Sequence, residues 1–132
     1  MKLVIPSKQR KQIIDITDYV TDELKKHKHT NGICFLFVKH TTACITTADL
    51  DPGTDLDMLD AFEAMMPKLH YRHPHNPAHV TDHILSSLIG PSLAIPVIHG
   101  ELDLGVWQRI VLVELDGPRE RTLTVSFLGV DE

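Results

Sequence analysis

Histidine is the residue type that stands out in this chain, with nine in 132 residues. Imidazole transfers protons near neutral pH, donates hydrogen bonds to anions and binds transition metals. Four histidines lie close together at His73, His75, His79 and His83. If a helix begins near Pro77, the last two share one helix face, the spacing found in helical two-histidine metal sites.

The chemistry that this cluster favours is binding of a divalent transition metal, Zn²⁺, Ni²⁺ or Fe²⁺, rather than Mg²⁺ or Ca²⁺. The sequence HVTDH, which contains His79 and His83, lacks the glutamate of the HExxH motif and so disfavours metalloprotease chemistry. Asp82 would orient a metal ligand from outside. The alternative is a loop that is merely rich in histidine.

A second group of polar side chains, His40, Thr41 and Thr42, follows an apolar stretch typical of a strand. Such a triplet at a strand end would present one imidazole and two hydroxyls to a pocket. The alternative is a histidine that closes a turn by hydrogen bonding to the backbone.

Further candidates lie in the last quarter of the chain. Trp107 and Gln108 fall in residues 106–115, which we interpret as one strand, and the tryptophan would either line a pocket or fill the core. Arg119 and Arg121 follow a tight turn and could hold a phosphate or carboxylate through paired hydrogen bonds. Neighbouring acidic residues could instead take both arginines in ion pairs.

These candidates are positioned by strands and helices in a simple order. Apolar spacing predicts helices over residues 17–29, 56–66 and 80–88, with strands before, between and after them. Residues 33–38 are apolar without alternation, which predicts a strand covered on both faces. The order of strands, helix, strands, two helices and strands predicts an α+β fold with mostly antiparallel sheets.

Length and composition indicate a single domain over residues 1–132. The formal net charge of −5 disfavours binding to nucleic acid. No stretch approaches the roughly 18 apolar residues of a membrane span, and the amino terminus lacks the apolar region of a secretory signal. Cys34 and Cys44 lie in apolar stretches typical of a reducing compartment. We therefore expect a cytoplasmic protein with neither nucleic acid nor membrane as partner.

Three segments taken together resemble a known family: HTTACIT from residue 40, AHVTDHILSSLIGPSLAIPV from residue 78, and HGELDLGVWQRIVLVELDGPRERTLTVSFLG from residue 99. They are similar to the YjbQ-like family, small proteins often labelled secondary thiamine-phosphate synthase enzymes. The resemblance spans nearly the whole chain. It implies β-sandwich-like sheets with two to three flanking helices, a compact homotrimer, and a histidine-lined pocket near subunit boundaries that holds a metal or an anion.

Residue by residue, the resemblance implies catalytic roles for His40 and His83. It implies metal ligation by the same two residues and by one histidine of the loop before the third helix. His75 is our choice for that third ligand, with His73 and His79 as the alternatives.

The resemblance also implies a set of substrate-binding residues. They are Thr41, Thr42, Trp107, Gln108, Arg119 and Arg121. In many members an Asn-Glu pair precedes an Asp-Pro. This chain lacks the Asn-Glu pair, so Asp49 would supply the catalytic carboxylate.

The function implied is that of a small-molecule enzyme acting on a phosphorylated or carboxylated metabolite. The chain has no glycine-rich phosphate loop, so thiamine-phosphate synthesis would be a weak secondary activity. One alternative is a non-catalytic trimeric module that binds a small anionic metabolite, since the sequence shows no complete set of acid, base and nucleophile. In another, the histidines and Arg119 serve the trimer interface.

Overall fold

Eight strands and three helices make up the part of the chain that the computed structural model describes, residues 1–73 and 79–130. The elements are β1 (Lys2–Pro6), β2 (Gln12–Asp15), α1 (Thr17–Lys26), β3 (Gly32–Val38), β4 (Ala43–Ala48), α2 (Thr54–Met65), α3 (Val80–Ile89), β5 (Ser92–Ile98), β6 (Glu101–Leu102), β7 (Arg109–Glu114) and β8 (Glu120–Gly129). Every strand pairing is antiparallel. The predicted α+β class with antiparallel sheets is thus confirmed.

The strands form two sheets that pack face to face. One has five strands in the order β1-β8-β3-β5-β6, and the other has three in the order β2-β7-β4. The main core lies between them and contains Ile5, Leu36, Ile95, Leu112 and Leu123, each at most 3% exposed. Burial of this apolar surface is the principal force that holds the sheets together.

The helices complete the core on two sides. On α1, Val20 and Leu24 lie four residues apart and bury one face of the helix in the main core. α2 and α3 cover the other face of the three-stranded sheet, where Phe62 and Leu85 pack with Val113. The three-stranded sheet is therefore covered on both faces.

The five-stranded sheet has one open, apolar face. In β3, Ile33, Phe35 and Phe37 are 40%, 42% and 40% exposed, whereas the residues between them are buried. Within one chain β3 is covered on only one face, so the prediction that both faces are covered is wrong for the single chain. We call this surface the outer apolar face. It consists of Val4, Ile33, Phe35, Phe37, Ile98 and Leu128.

Two local predictions are also corrected. β7 begins at Arg109, so Trp107 and Gln108 lie in the loop that precedes the strand, and the indole is 72% exposed. α3 begins at Val80 with His79 as its N-cap residue, three positions after the expected start near Pro77. None of the helices within residues 1–73 and 79–130 is long and apolar enough to span a bilayer.

Candidate functional site

A polar cavity of about 450 Å³ lies where several strands begin or end. β3 and β7 end at this edge, and β4 and β8 begin there. The cavity is lined by Lys39, His40, Thr41, Thr42, His83, Asp116, Arg119 and Arg121. Six residues that the sequence singles out as a site thus line one cavity, and Lys39 and Asp116 are additions.

His40 is held by its own hydrogen bond to β8. The backbone N–H of Thr122 donates to Nε2 of His40 over 2.9 Å. A neutral imidazole has one donor and one acceptor nitrogen, so this bond places the proton on Nδ1. Burial lowers the pKa of His40, and the positive charge of Arg121 lowers it further. The imidazole therefore stays neutral at physiological pH and offers Nδ1–H as a donor.

The lowered pKa of His40, which burial and the charge of Arg121 cause, predicts a pH dependence of stability. Because the pKa of His40 is lower in the folded chain, the unfolded chain binds more protons as the pH falls below about 6.5. His40 thus stabilises the fold above that pH, and its contribution is lost as the pH falls toward the folded-state pKa. We expect wild type to lose stability relative to His40→Gln, which keeps an acceptor but does not titrate, as the pH falls below about 6.5. If the free energies of unfolding in urea of the two proteins change in parallel with pH, this prediction is contradicted.

Arg121 forms the inner wall of the cavity and is 2% exposed. Its Nε donates to both carboxylate oxygens of Glu114, at 2.9 and 3.1 Å, and its Nη2 also contacts that carboxylate. Nη2 donates further to the carbonyl oxygen and hydroxyl of Thr42, at 3.1 and 2.9 Å. Within residues 1–73 and 79–130 no hydrogen bond involves Nη1, so this group remains for a ligand.

Glu114 is fully buried and is held by three elements of the chain. Burial alone would raise its pKa, but hydrogen bonds from Arg121, from the Ser7 hydroxyl at 2.5 Å and from the Asp116 backbone N–H at 3.1 Å outweigh this effect. The pKa of Glu114 therefore lies below its ordinary value. The site rests on a buried ion pair in which the carboxylate is held by hydrogen bonds from Arg121, Ser7 and Asp116.

Two further cations are accessible from solvent. The Arg119 side chain is 56% exposed, and it donates from Nε to the Asp116 carbonyl at 2.7 Å and from Nη2 to the Asp116 carboxylate at 2.8 Å. Lys39 is exposed at the cavity edge. Such solvated ion pairs contribute little stability, so Arg119 can turn toward a bound anion at small cost.

His83 links this cavity to a second one. Its ring lies against that of His73, with centroids 4.9 Å apart. The second cavity, of about 480 Å³, shares Lys39, His40, Thr41 and His83 with the first. Its remaining wall consists of Phe37, Val38, Ala43, Ser86, Ser87 and Pro91. The first cavity is therefore cationic, and its neighbour is largely apolar.

The described residues do not fit the expected metal centre. Nε2 of His40 already accepts a hydrogen bond, and a metal on Nδ1 would require an imidazolate. Within residues 1–73 and 79–130 no three His, Cys, Asp or Glu side chains lie together so that they could hold a metal ion. His75, the expected third ligand, lies outside the described residues.

Three expected site residues lie elsewhere in the chain. Asp49, Trp107 and Gln108 line another cavity, of about 470 Å³, beyond the far end of β4. A six-residue strand spans about 20 Å, so this cavity is remote from His40 in the same chain. Gln108 has a structural role there, since its amide accepts from the Gly105 N–H at 2.8 Å and donates to the Thr47 hydroxyl at 3.2 Å.

A larger cavity, of about 650 Å³, lies between the ends of α2 and α3. Two of its three lysine and arginine residues, Arg10 and Lys11, already pair with the buried carboxylate of Asp82, at 3.3 and 3.2 Å, and the third is Lys68. Asp82 thus ties α3 to the β1–β2 connection, and among the described residues it does not bond to a histidine. We take the smaller cavity, where two imidazoles meet Lys39, Arg119 and Arg121, as the candidate site.

The fold and the cavity define a class of protein: a small α+β domain with a cationic, histidine-lined cavity at one edge of two antiparallel sheets. A family model described as UPF0047 protein YjbQ-like matches residues 1–130. The chain belongs to this YjbQ-like family.

Relatives and solved structures agree with this assignment. The UPF0047 protein YugU of Bacillus subtilis is 37% identical over 128 residues, which cover 96% of this chain and 97% of that protein. A crystal structure from Sulfolobus solfataricus, described as a YbjQ-like protein of unknown function, matches with a TM-score of 0.90 and 35% identity over 98% of this chain and 96% of that one. A family member from Clostridium acetobutylicum matches with a TM-score of 0.87 and 32% identity over 97% and 99%.

Proposed function

We propose that the cationic cavity binds the phosphate or carboxylate of a small metabolite and that the protein is an enzyme acting on it. The observation that carries this proposal is the convergence of Lys39, Arg119 and Arg121 with two imidazoles in one cavity. Three residues of the lining are positively charged and one, Asp116, is negatively charged, so the cavity favours an anion although the chain has a net charge of −5.

The two histidines would have different roles. His40, held neutral by its bond to Thr122, donates Nδ1–H to the ligand and positions it. His83 lines the same cavity from α3, with no backbone group fixing its tautomer within the described residues. It is therefore the better candidate to move a proton between substrate and solvent.

Binding of inorganic phosphate, measured by calorimetry, tests the anion site. We expect Arg119→Gln to weaken phosphate binding about tenfold or more, because it removes a charged hydrogen-bond donor worth about 1.5–3 kcal/mol. Arg109→Gln is the matched control, since Arg109 pairs with Asp15 and Asp18 away from the cavity. Equal effects of the two substitutions would contradict the proposal.

The same titration separates an anion site from a metal centre. Dialysis against a chelator should leave phosphate affinity unchanged if Arg119 and the imidazoles bind the anion directly. If a Zn²⁺, Ni²⁺ or Fe²⁺ ion carries the anion instead, the chelator abolishes binding, and elemental analysis of untagged protein finds the ion.

The second candidate is a binding module without catalysis. One observation favours it: among the described residues, no hydroxyl or thiol in the cavity is hydrogen-bonded to an imidazole, so an activated nucleophile is not assembled. Thermal stabilisation by anionic metabolites without turnover would support this candidate, and product formation would refute it.

Thiamine-phosphate synthesis would be a secondary activity at this site. That reaction brings together a phosphate and a diphosphate, and binding both requires more positive charge than this one cavity supplies. Most of the hydrogen-bond donors of Arg121 are already bonded to Glu114 and Thr42. An assay with both phosphorylated substrates should therefore give turnover far slower than that with the physiological substrate.

We also propose that the chain assembles as a homotrimer through the outer apolar face. Contiguous exposed apolar residues of this kind are typical of protein–protein interfaces. Light scattering should give three times the 14.9 kDa chain mass, and Phe35→Asp should give folded monomers. Tyr19→Asp, at an exposed position on α1, is the control that should stay trimeric. A monomeric wild type would refute the proposal.

A further inference from the structure

The second cavity beside the anion site has a composition suited to an uncharged part of a ligand. Beyond the residues it shares with the first, its wall contains Val38, Ala43, Pro91, two serines and Phe37, which also belongs to the outer apolar face. No carboxylate and no arginine lies among its described lining residues. A second charged group would lose hydration against this wall at a cost in free energy, so the wall favours apolar surface.

The two cavities meet at the imidazoles. His40 and His83 line both, as do Lys39 and Thr41. A ligand whose anionic group contacts Arg119 would therefore extend past the two rings into the apolar cavity. The bond that joins the anionic group to the rest of the ligand would then lie next to the imidazoles, where a proton can be transferred.

From this arrangement we infer that the substrates are phosphate or carboxylate compounds with one uncharged, partly apolar body of about the size of an aromatic ring. Free phosphate and highly charged compounds such as nucleotides would leave the second cavity unused or would place charge in it. This inference rests on the proposed function, since it requires the anion to occupy the first cavity.

The second cavity is large enough to hold a body of that size. Its volume of about 480 Å³ lies within the usual range of about 300–1,000 Å³ for small-molecule pockets. A tenfold gain in affinity corresponds to about 1.4 kcal/mol, which requires about 55 Å² of apolar surface to be buried at about 25 cal/mol per Å². Partial burial of one phenyl ring suffices.

Phenyl phosphate and inorganic phosphate are the probes for this inference. For wild type we expect calorimetry to give at least about tenfold tighter binding of phenyl phosphate. Ser87→Leu would fill the second cavity from an exposed position on α3 and should reduce this affinity ratio toward one. Ala61→Leu, at an exposed position on α2 away from this cavity, is the matched control and should keep the ratio.

The outcomes distinguish the two proposals. If wild type binds neither phosphate compound, the proposed function fails and this inference fails with it. If inorganic phosphate binds but phenyl phosphate binds no tighter, only the inference is overturned. An affinity ratio that survives Ser87→Leu also overturns it, because the body would then lie elsewhere.

Discussion

Replacing Arg121 with methionine is expected to lower the free energy of unfolding by about 3–5 kcal/mol. The reason is that Glu114, fully buried, would lose its only charged partner within the described residues while keeping its charge in the interior. Ser7 and the Asp116 backbone N–H would still donate to the carboxylate, but they carry no net charge. Urea unfolding monitored by circular dichroism measures the loss.

Two comparisons test this reason. Arg119→Met removes an arginine only two positions away, but its ion pair with Asp116 is exposed, so the expected loss is about 1 kcal/mol or less. The double variant Glu114→Gln/Arg121→Met should recover much of the stability of Arg121→Met, because no unpaired charge remains buried. Equal losses for Arg119→Met and Arg121→Met would contradict the interpretation.

This buried pair changes the role that the sequence suggests for Arg121. Spacing alone shows two arginines after a turn and leaves ion pairing and ligand binding open. The antiparallel pairing of β8 turns Arg121 inward, against Glu114, whereas Arg119 precedes the strand and stays exposed. Arg121 therefore builds the wall of the cavity and leaves only Nη1 for a ligand, whereas Arg119 is accessible from solvent.

The convergence of His40 and His83 could be predicted because family motifs mark both residues, although they lie on separate elements. The separation of Asp49, Trp107 and Gln108 from them could not. His40 precedes β4 and Asp49 follows it, so the two are close in sequence but lie at opposite ends of a strand. Sequence proximity across a strand is therefore misleading about which cavity a residue enters.

For the fold, too, the sequence predicts some features and not others. Helical spacing predicts α2 and α3 because their apolar residues pack against the three-stranded sheet. The apolar run at residues 33–38 predicts β3 correctly but not its surroundings, because the chain itself covers only one face. The apolar composition of this segment indicates that Phe35 lies in an apolar environment. It does not indicate whether the same chain provides that environment.

Gly117→Ala is expected to be destabilising by about 3 kcal/mol. A Cβ atom at this position would lie 2.4 Å from the backbone oxygen of Gln9, 2.6 Å from the Ser7 hydroxyl and 2.9 Å from a methylene carbon of Glu114. The Gln9 oxygen is part of the backbone and cannot simply rotate away, so the connection between β1 and β2 must move. Differential scanning calorimetry and urea unfolding measure the effect.

The same substitution should also damage the anion site, because one crowded group is the Ser7 hydroxyl that donates to Glu114 and another is the Glu114 side chain itself. We therefore expect weaker phosphate binding by Gly117→Ala at temperatures where the variant is still folded. Gly105→Ala is the matched control: its nearest neighbour would be the flexible side chain of Gln108 at 3.1 Å, in a loop remote from the cavity. If Gly117→Ala is as stable as Gly105→Ala and binds phosphate as wild type does, then the packing around Ser7 and Glu114 does not determine the geometry of the site.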